Sequence, residues 1–299
     1  MKPLEMIFSK RNRSRCLGAG WAVLVLLAAG LVTLGDLTPS AAWASVSVRG
    51  RLTHEKQARP GETYESGIYV SNTGDEVEQV KVYQTDYLFT CDGKYYYGDP
   101  GTTPRSNANW IEFGPTRLTI PPQGGAVVNY KVAVPDDPKL TGTYWSIIMI
   151  EVISKGSPEM TGQHDGKVNL GINQVFRFGV QIVTEIEDTG LRKIKFLDSR
   201  LLWDSGKRTL RVDLENTGEQ WLRPSLWAEL YDTTGAFVGK FEAGPLRVYP
   251  GTSVRYEVDL SQLKIGNYKA VVIADCGEDD VFGATYSLSV QDENSASGN

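Results

Sequence analysis

Histidine and cysteine are nearly absent from this chain, at 2 and 3 residues in 299. The scarcity removes most of the side chains that build metal and nucleophile sites. His54 and His164 stand in Thr-His-Glu and Gln-His-Asp contexts, too far apart for a recognisable metal-ligand spacing, and read as solvated loop histidines. No Gly-x-Ser-x-Gly elbow, Cys/His dyad signature or phosphate-binding loop occurs. The expectation is a non-enzyme with no cofactor and no metal. Helix-forming runs are also scarce beyond the N-terminal region, while Gly (31) and Tyr (14) are plentiful, which favours strands and turns.

Long apolar runs are missing except one. Leu17 to Leu34 follows a basic stretch holding Lys2, Lys10, Arg11, Arg13 and Arg15, and precedes Ala42-Trp43-Ala44, a small-x-small cleavage pattern. Residues 1–44 therefore read as a signal peptide, or as a retained anchor given the length of the run, and the body as exported to a periplasm or cell surface. Cys16 precedes the apolar run, which argues against lipid attachment there. Without residues 1–44 the chain has 26 basic and 34 acidic residues, a net charge near −8. Such a surface does not suit nucleic acid, and membrane contact is expected only through an uncleaved leader. Cys91 and Cys276 remain; they fall in different expected domains, Thr-Cys-Asp-Gly and Asp-Cys-Gly-Glu, and read as unpaired thiols.

What is present is repetition. Thr116–Glu151 (TRLTIPPQGGAVVNYKVAVPDDPKLTGTYWSIIMIE) reads as strand, Pro-Gly turn, alternating strand, loop and apolar strand. Leu246–Asp275 (LRVYPGTSVRYEVDLSQLKIGNYKAVVIAD) is a plainer copy. Asn72-Thr73-Gly74 recurs as Asn216-Thr217-Gly218 at an offset of 144, whereas Pro122 and Pro250 differ by 128 and Tyr144 and Tyr268 by 124. The first copy thus holds about 16 extra residues between its two turns, in a Tyr- and Asn-rich region. The expected fold is all-β: two tandem immunoglobulin-like β-sandwich domains, 45–185 and 186–290, with a disordered tail at 291–299.

Within the first domain, Ser45–Leu52 reads as one strand with Val46, Val48 and Leu52 inward. Val128, Tyr130, Val132 and Val134 form one face of a half-buried strand, and Trp145–Ile150 is apolar on both faces, as a central strand requires. A long strand, Val168–Val183, follows, with Phe176, Phe178, Val180 and Ile182 on one face and Arg177, Gly179 and Gln181 on the other. The second copy is read as lacking it. An exported sandwich with a long apolar edge strand invites pairing with another chain. Tyr95, Tyr96, Tyr97 and Trp110 offer an alternative, an aromatic platform for a glycan on a surface adhesion module. The acidic run Asp275–Asp280 lacks EF-hand spacing and reads as a solvated loop.

Ile68-x-Val70-x-Asn72, Trp110-Ile111 ahead of Leu118-x-Ile120-Pro121-Pro122, the apolar Tyr144–Ile150 strand and the long strand before a second sandwich together resemble the periplasmic pilus-assembly chaperones (PapD-like). The resemblance spans about residues 45–290. It implies a chaperone-like assembly factor for envelope or pilus subunits, with a protein client bound along the long strand. It also implies a basic pair anchoring the client's carboxylate, matched by position to Arg49 or Arg51 and Arg177, beside Phe176 and Phe178.

Overall fold

The computed structural model describes residues 45–153, 175–204, 206–277 and 280–291, and within them the chain is built of strands. Along the first sandwich these are β1 (Val46–Arg49), β2 (Thr53–Ala58), β3 (Thr63–Asn72), β4 (Glu78–Phe89), β5 (Tyr95–Gly98), β6 (Ile111–Gly114), β7 (Arg117–Ile120), β8 (Gly125–Ala133), β9 (Gly142–Val152) and β10 (Arg177–Ile186). The second holds β11 (Ile194–Asp204), β12 (Lys207–Asn216), β13 (Ser225–Tyr231), β14 (Phe237–Pro245), β15 (Ser253–Asp259), β16 (Gly266–Asp275) and β17 (Val281–Val290).

In the first sandwich a sheet of order β1-β3-β8-β6 faces one of order β2-β10-β9-β4-β5, with β7 also paired to β4. Period-two alternation aims Ile68 and Val70, Val128, Tyr130 and Val132, Ile148 and Ile150, and Val180 and Ile182 into one apolar core. Each such side chain contributes roughly 1.5–3 kcal/mol by leaving water. The second sandwich faces β11-β12-β15 against β14-β13-β16-β17, its core drawn from Leu210, Val212 and Leu214 opposite Leu226, Ala228 and Leu230. The all-β architecture of two tandem sandwiches is as the repeat predicts.

The repeat has a physical basis in two buried asparagines. Asn72 gives its amide hydrogens to the carbonyls of Glu76, Ile120 and Pro121 and accepts from the Gly74 amide; Asn216 does the same to Gln220 and Val248 and accepts from Gly218. The shared partners Ile120 and Val248 are 128 apart, the offset read from the prolines. Each asparagine therefore ties its strand end to the turn that opens the next repeated strand.

Three readings are corrected. Ser45–Leu52 is not one strand: Gly50 adopts a left-handed φ of 97°, so β1 pairs antiparallel with β3 while β2 crosses to pair parallel with β10. Leu52 consequently lies half exposed rather than inward. The second copy does not lack the strand after its repeat, because β17 follows β16 as β10 follows β9, and both span ten residues. Residues 168–174 of the expected long strand fall outside the described residues; Val175 and Phe176 are described and lie before the strand, and β10 runs Arg177–Ile186, past the expected end at Val183. Finally, β11 and β14 were not anticipated; their sequences, IKFLDSRLLWD and FVGKFEAGP, break alternation at register shifts.

Candidate functional site: a groove beside an open strand edge

The odd-numbered residues of β9, Thr143 to Glu151, face away from the first core, yet all are buried or nearly so. The second sandwich covers part of this face. Trp145 stacks on Tyr249 at 4.8 Å and 16°, Phe89 meets the same tyrosine edge-on, and Val183 completes a small apolar cluster. Polar contacts frame it: the Tyr249 hydroxyl donates to Gln181 Oε1 (2.7 Å), Trp221 Nε1 to Glu185 (2.9 Å) and Arg247 Nη2 to Glu55 (2.7 Å). Arg247 also lies 3.9 Å over the Trp221 ring. Burial pushes the Tyr249 hydroxyl up to about 12 against the opposing pull of Arg247. At the margin, Gly142 has φ 70° and its position leaves no room for a Cβ, which would sit 2.2 Å from the Glu219 carbonyl. Glycine is required there by both backbone angle and close approach.

The rest of the face is an open groove of about 480 Å³, lined by Tyr83, Thr85, Tyr87, Tyr97, Ile147, Met149, Arg177, Gly179 and Gln181. Its floor is apolar and its walls are tyrosine rings, with Tyr87 centred 5.4 Å from Tyr97. Burial drives the Tyr87 hydroxyl well above its ordinary range. At one end Glu151 is held by three donors: Lys81 Nζ at 2.9 Å, Arg177 Nε at 2.5 Å and the Tyr83 hydroxyl at 2.8 Å. Burial pushes its carboxyl up, but the bonds from Lys81 and Tyr83 and the nearby cations more than offset this and hold it below the usual carboxylate range.

The sign of that shift sets a pH dependence. A depressed folded-state pKa contributes stability above the unfolded value of about 4.3, lost as pH falls through the folded value. Glu151→Gln is expected to be less stable than the parent at neutral pH, with the gap closing in acid. Urea denaturation at pH 7 and pH 3 measures it, and a gap unchanged between the two would contradict the arrangement.

The second feature is an edge. Val152 donates to the Phe176 carbonyl, so even-numbered backbone groups of β10 bond to β9 and odd-numbered ones face the other way. There the Gln181 amide is taken by Leu52, where β2 starts, and β2 pairs only with Gln181–Ile186. Arg177 and Gly179 lie before that start, so among the described residues no strand accompanies their outward N–H and C=O groups.

Of the residues singled out from sequence, Arg177 lines the groove, while Phe178 turns to the opposite face against the first core and Phe176 is partly buried. Arg49 and Arg51 are exposed and do not line the groove; Arg49 lies 5.2 Å over Tyr69 in the other sheet. Arg177 is ion-paired with Glu151. Tyr97 lines the groove and Tyr95 stacks on Tyr87, but Trp110 packs on Tyr144 at 4.6 Å against the first core, so the four aromatics do not form one platform. His54 is no loop residue: it sits on β2 with Nδ1 2.8 Å from the Tyr130 hydroxyl, and burial lowers its pKa. His164 lies outside the described residues. Both Cys91 and Cys276 are free thiols, and burial pushes Cys276 up to about 12. Asp280 pairs with Arg192, and among the described residues no group of three His, Cys, Asp or Glu could hold a metal.

Sequence reading missed Tyr83, Tyr87, Glu151 and Gln181. One signal was available: Trp145–Ile150 is apolar on both faces, which marks the second face as covered or as a binding surface. No known family's sequence profile matches the chain, and no curated protein matches it. Solved structures that resemble it include the class 5 fimbriae chaperone CfaA, at 10% identity over 80% of this chain and 98% of that one, TM-score 0.42. A chaperone–tip adhesin complex of CFA/I fimbriae biogenesis aligns at 10% identity, 82% and 98% coverage and TM-score 0.43. The CsuC–CsuE chaperone–tip adhesion subunit complex of Acinetobacter baumannii aligns at 12%, 80% and 98%, TM-score 0.42. Among solved structures, the chain is similar to PapD-like fimbrial chaperones.

Proposed function

We propose that this chain is an exported, non-enzymatic protein-binding factor, a chaperone-like assembly protein that holds a client segment in extended form along the open edge of β10. The observation that carries the reading is the edge itself: Arg177 and Gly179 present backbone groups with no accompanying strand among the described residues, directly beside the groove. A client strand added there gains a ladder of backbone hydrogen bonds that does not depend on its sequence. Alternate side chains of that segment lean into the groove, where Ile147, Met149 and the rings of Tyr87 and Tyr97 supply an apolar wall. The groove's cation is already engaged: Arg177 is bound to Glu151, which Lys81 and Tyr83 also hold. The reading therefore places client affinity in strand pairing and apolar contact rather than in capture of a carboxylate. The basic stretch, apolar run and Ala-x-Ala pattern of residues 1–44 support export.

The test is site-specific crosslinking in an envelope extract. A photoreactive phenylalanine replaces Phe176, the residue before the open edge at Arg177 and Gly179, or Phe237, an exposed residue on β14. A discrete adduct at Phe176 and none at Phe237 is expected. Equal adducts at both positions would remove the edge mechanism.

A further inference from the structure

Edge strands are ordinarily blunted by charge, proline, bulges or brevity, because an open edge is a template for another chain. Nearly every other edge here is blunted. β1, β5 and β6 have four residues each. β2 carries His54, Glu55 and Lys56, and β15 carries Arg255, Glu257 and Asp259. β11 combines Lys195, Asp198, Arg200 and Asp204 with a register shift after Phe196, and β14 combines Lys240, Glu242 and Pro245 with two shifts in its pairing.

β17 has none of these. Its ten residues, VFGATYSLSV, contain no charge and no proline, and pair with β16 without a register shift from Gly266↔Val290 to Asp275↔Val281. It ends its sheet, and among the described residues no strand pairs with its other side. The bare edge is ten residues long in a chain that, apart from the short opening at Arg177–Gly179 of β10, protects its others.

We propose that β17 is a self-pairing edge: two copies of this chain join β17 to β17 antiparallel about a two-fold axis, making one eight-stranded sheet. The occupant follows from charge and from the sequence of the strand itself. The parent carries a net charge of −5 in full and near −8 without residues 1–44, so broad contact between copies is opposed, but the strand itself is neutral and adds no repulsion along its length. With Thr285 on the axis, residues whose numbers sum to 570 stand opposite and share a face. Ala284 then faces Tyr286 of the second copy, small against large, and Phe282 faces Leu288, an apolar pair, on the core side. The exposed side carries Val281, Gly283, Thr285, Ser287 and Ser289, small enough for close approach. The two-fold uses up both edges, so pairing stops at a dimer instead of growing into a fibre.

Sedimentation of the full chain, at concentrations up to about 1 mM, tests this, since a contact this small gives a weak dimer. The parent should dimerise. Thr285→Lys places two like charges opposite each other and should weaken the dimer at least tenfold, as should Thr285→Glu; the exposed position leaves the fold intact, checked by thermal melting. An equimolar mixture of the two variants should restore the dimer, which a misfolded variant could not do. A parent that stays monomeric, or a dimer untouched by either substitution, overturns the proposal. So does a dimer that appears only after residues 292–299 are deleted, because the tail would then be what covers the edge.

Discussion

Tyr249→Ala should lower stability by about 3–5 kcal/mol, the range for truncating a large buried aromatic, and should let the two sandwiches melt apart. Tyr249 is fully buried, stacks on Trp145, meets Phe89 edge-on and donates to Gln181, so it belongs to the second sandwich by sequence and to the first by contact. Its removal leaves a cavity between two bodies that cannot collapse without tilting, and strips Gln181 Oε1 of its closest donor. The flanking pairs, Arg247 with Glu55 and Trp221 with Glu185, are partly exposed, and contacts of that kind contribute little alone. Differential scanning calorimetry should show one transition in the parent and two in the variant. A single, barely shifted transition in Tyr249→Ala would mean that the apolar cluster does not couple the sandwiches.

Asn216→Ala comes next, at about 2–4 kcal/mol, because it strands buried backbone groups. The Asn216 side chain is fully buried and bonds Gln220 O at 2.7 Å, Val248 O at 3.1 Å and the Gly218 amide at 2.9 Å. Alanine deletes all three bonds. Asn72→Ala should behave alike in the first sandwich, since its bonds repeat the pattern. Asn216→Asp should be no milder, because the carboxylate keeps the bond from Gly218 but faces the Gln220 and Val248 carbonyls without a hydrogen to give. Urea unfolding of the single variants measures the losses, and an Asn216→Ala variant within about 0.5 kcal/mol of the parent would contradict the role assigned to the repeated asparagine.

The same asparagines explain why the fold was legible. Asn-Thr-Gly and Pro-Gly are local turn signals, and their unequal offsets of 144 and 128 located an insertion without any knowledge of pairing. Strands with clean alternation, such as β8 and β12, announce their inward faces directly. Elements that escaped are those whose pattern is set by non-local events. Gly50 redirects the chain after β1 into the second sheet as β2, and β11 and β14 are interrupted by register shifts that only a partner strand defines. The groove escaped for a similar reason. Tyr83, Glu151 and Gln181 are ordinary alternating residues on three strands, and become one surface only when β4, β9 and β10 align. Arg177 was found because the pattern put it on a long strand, but its pairing with Glu151 depends on the register Arg177↔Glu151.

Crosslinking at the open edge of β10 bears on function most directly. With the photoreactive group at Phe176, the expected result is a discrete adduct whose client side maps to one extended segment, with nothing captured from Phe237. Capture at Phe237 alone, or adducts from Phe176 scattered over unrelated segments, would contradict strand addition at Arg177–Val180.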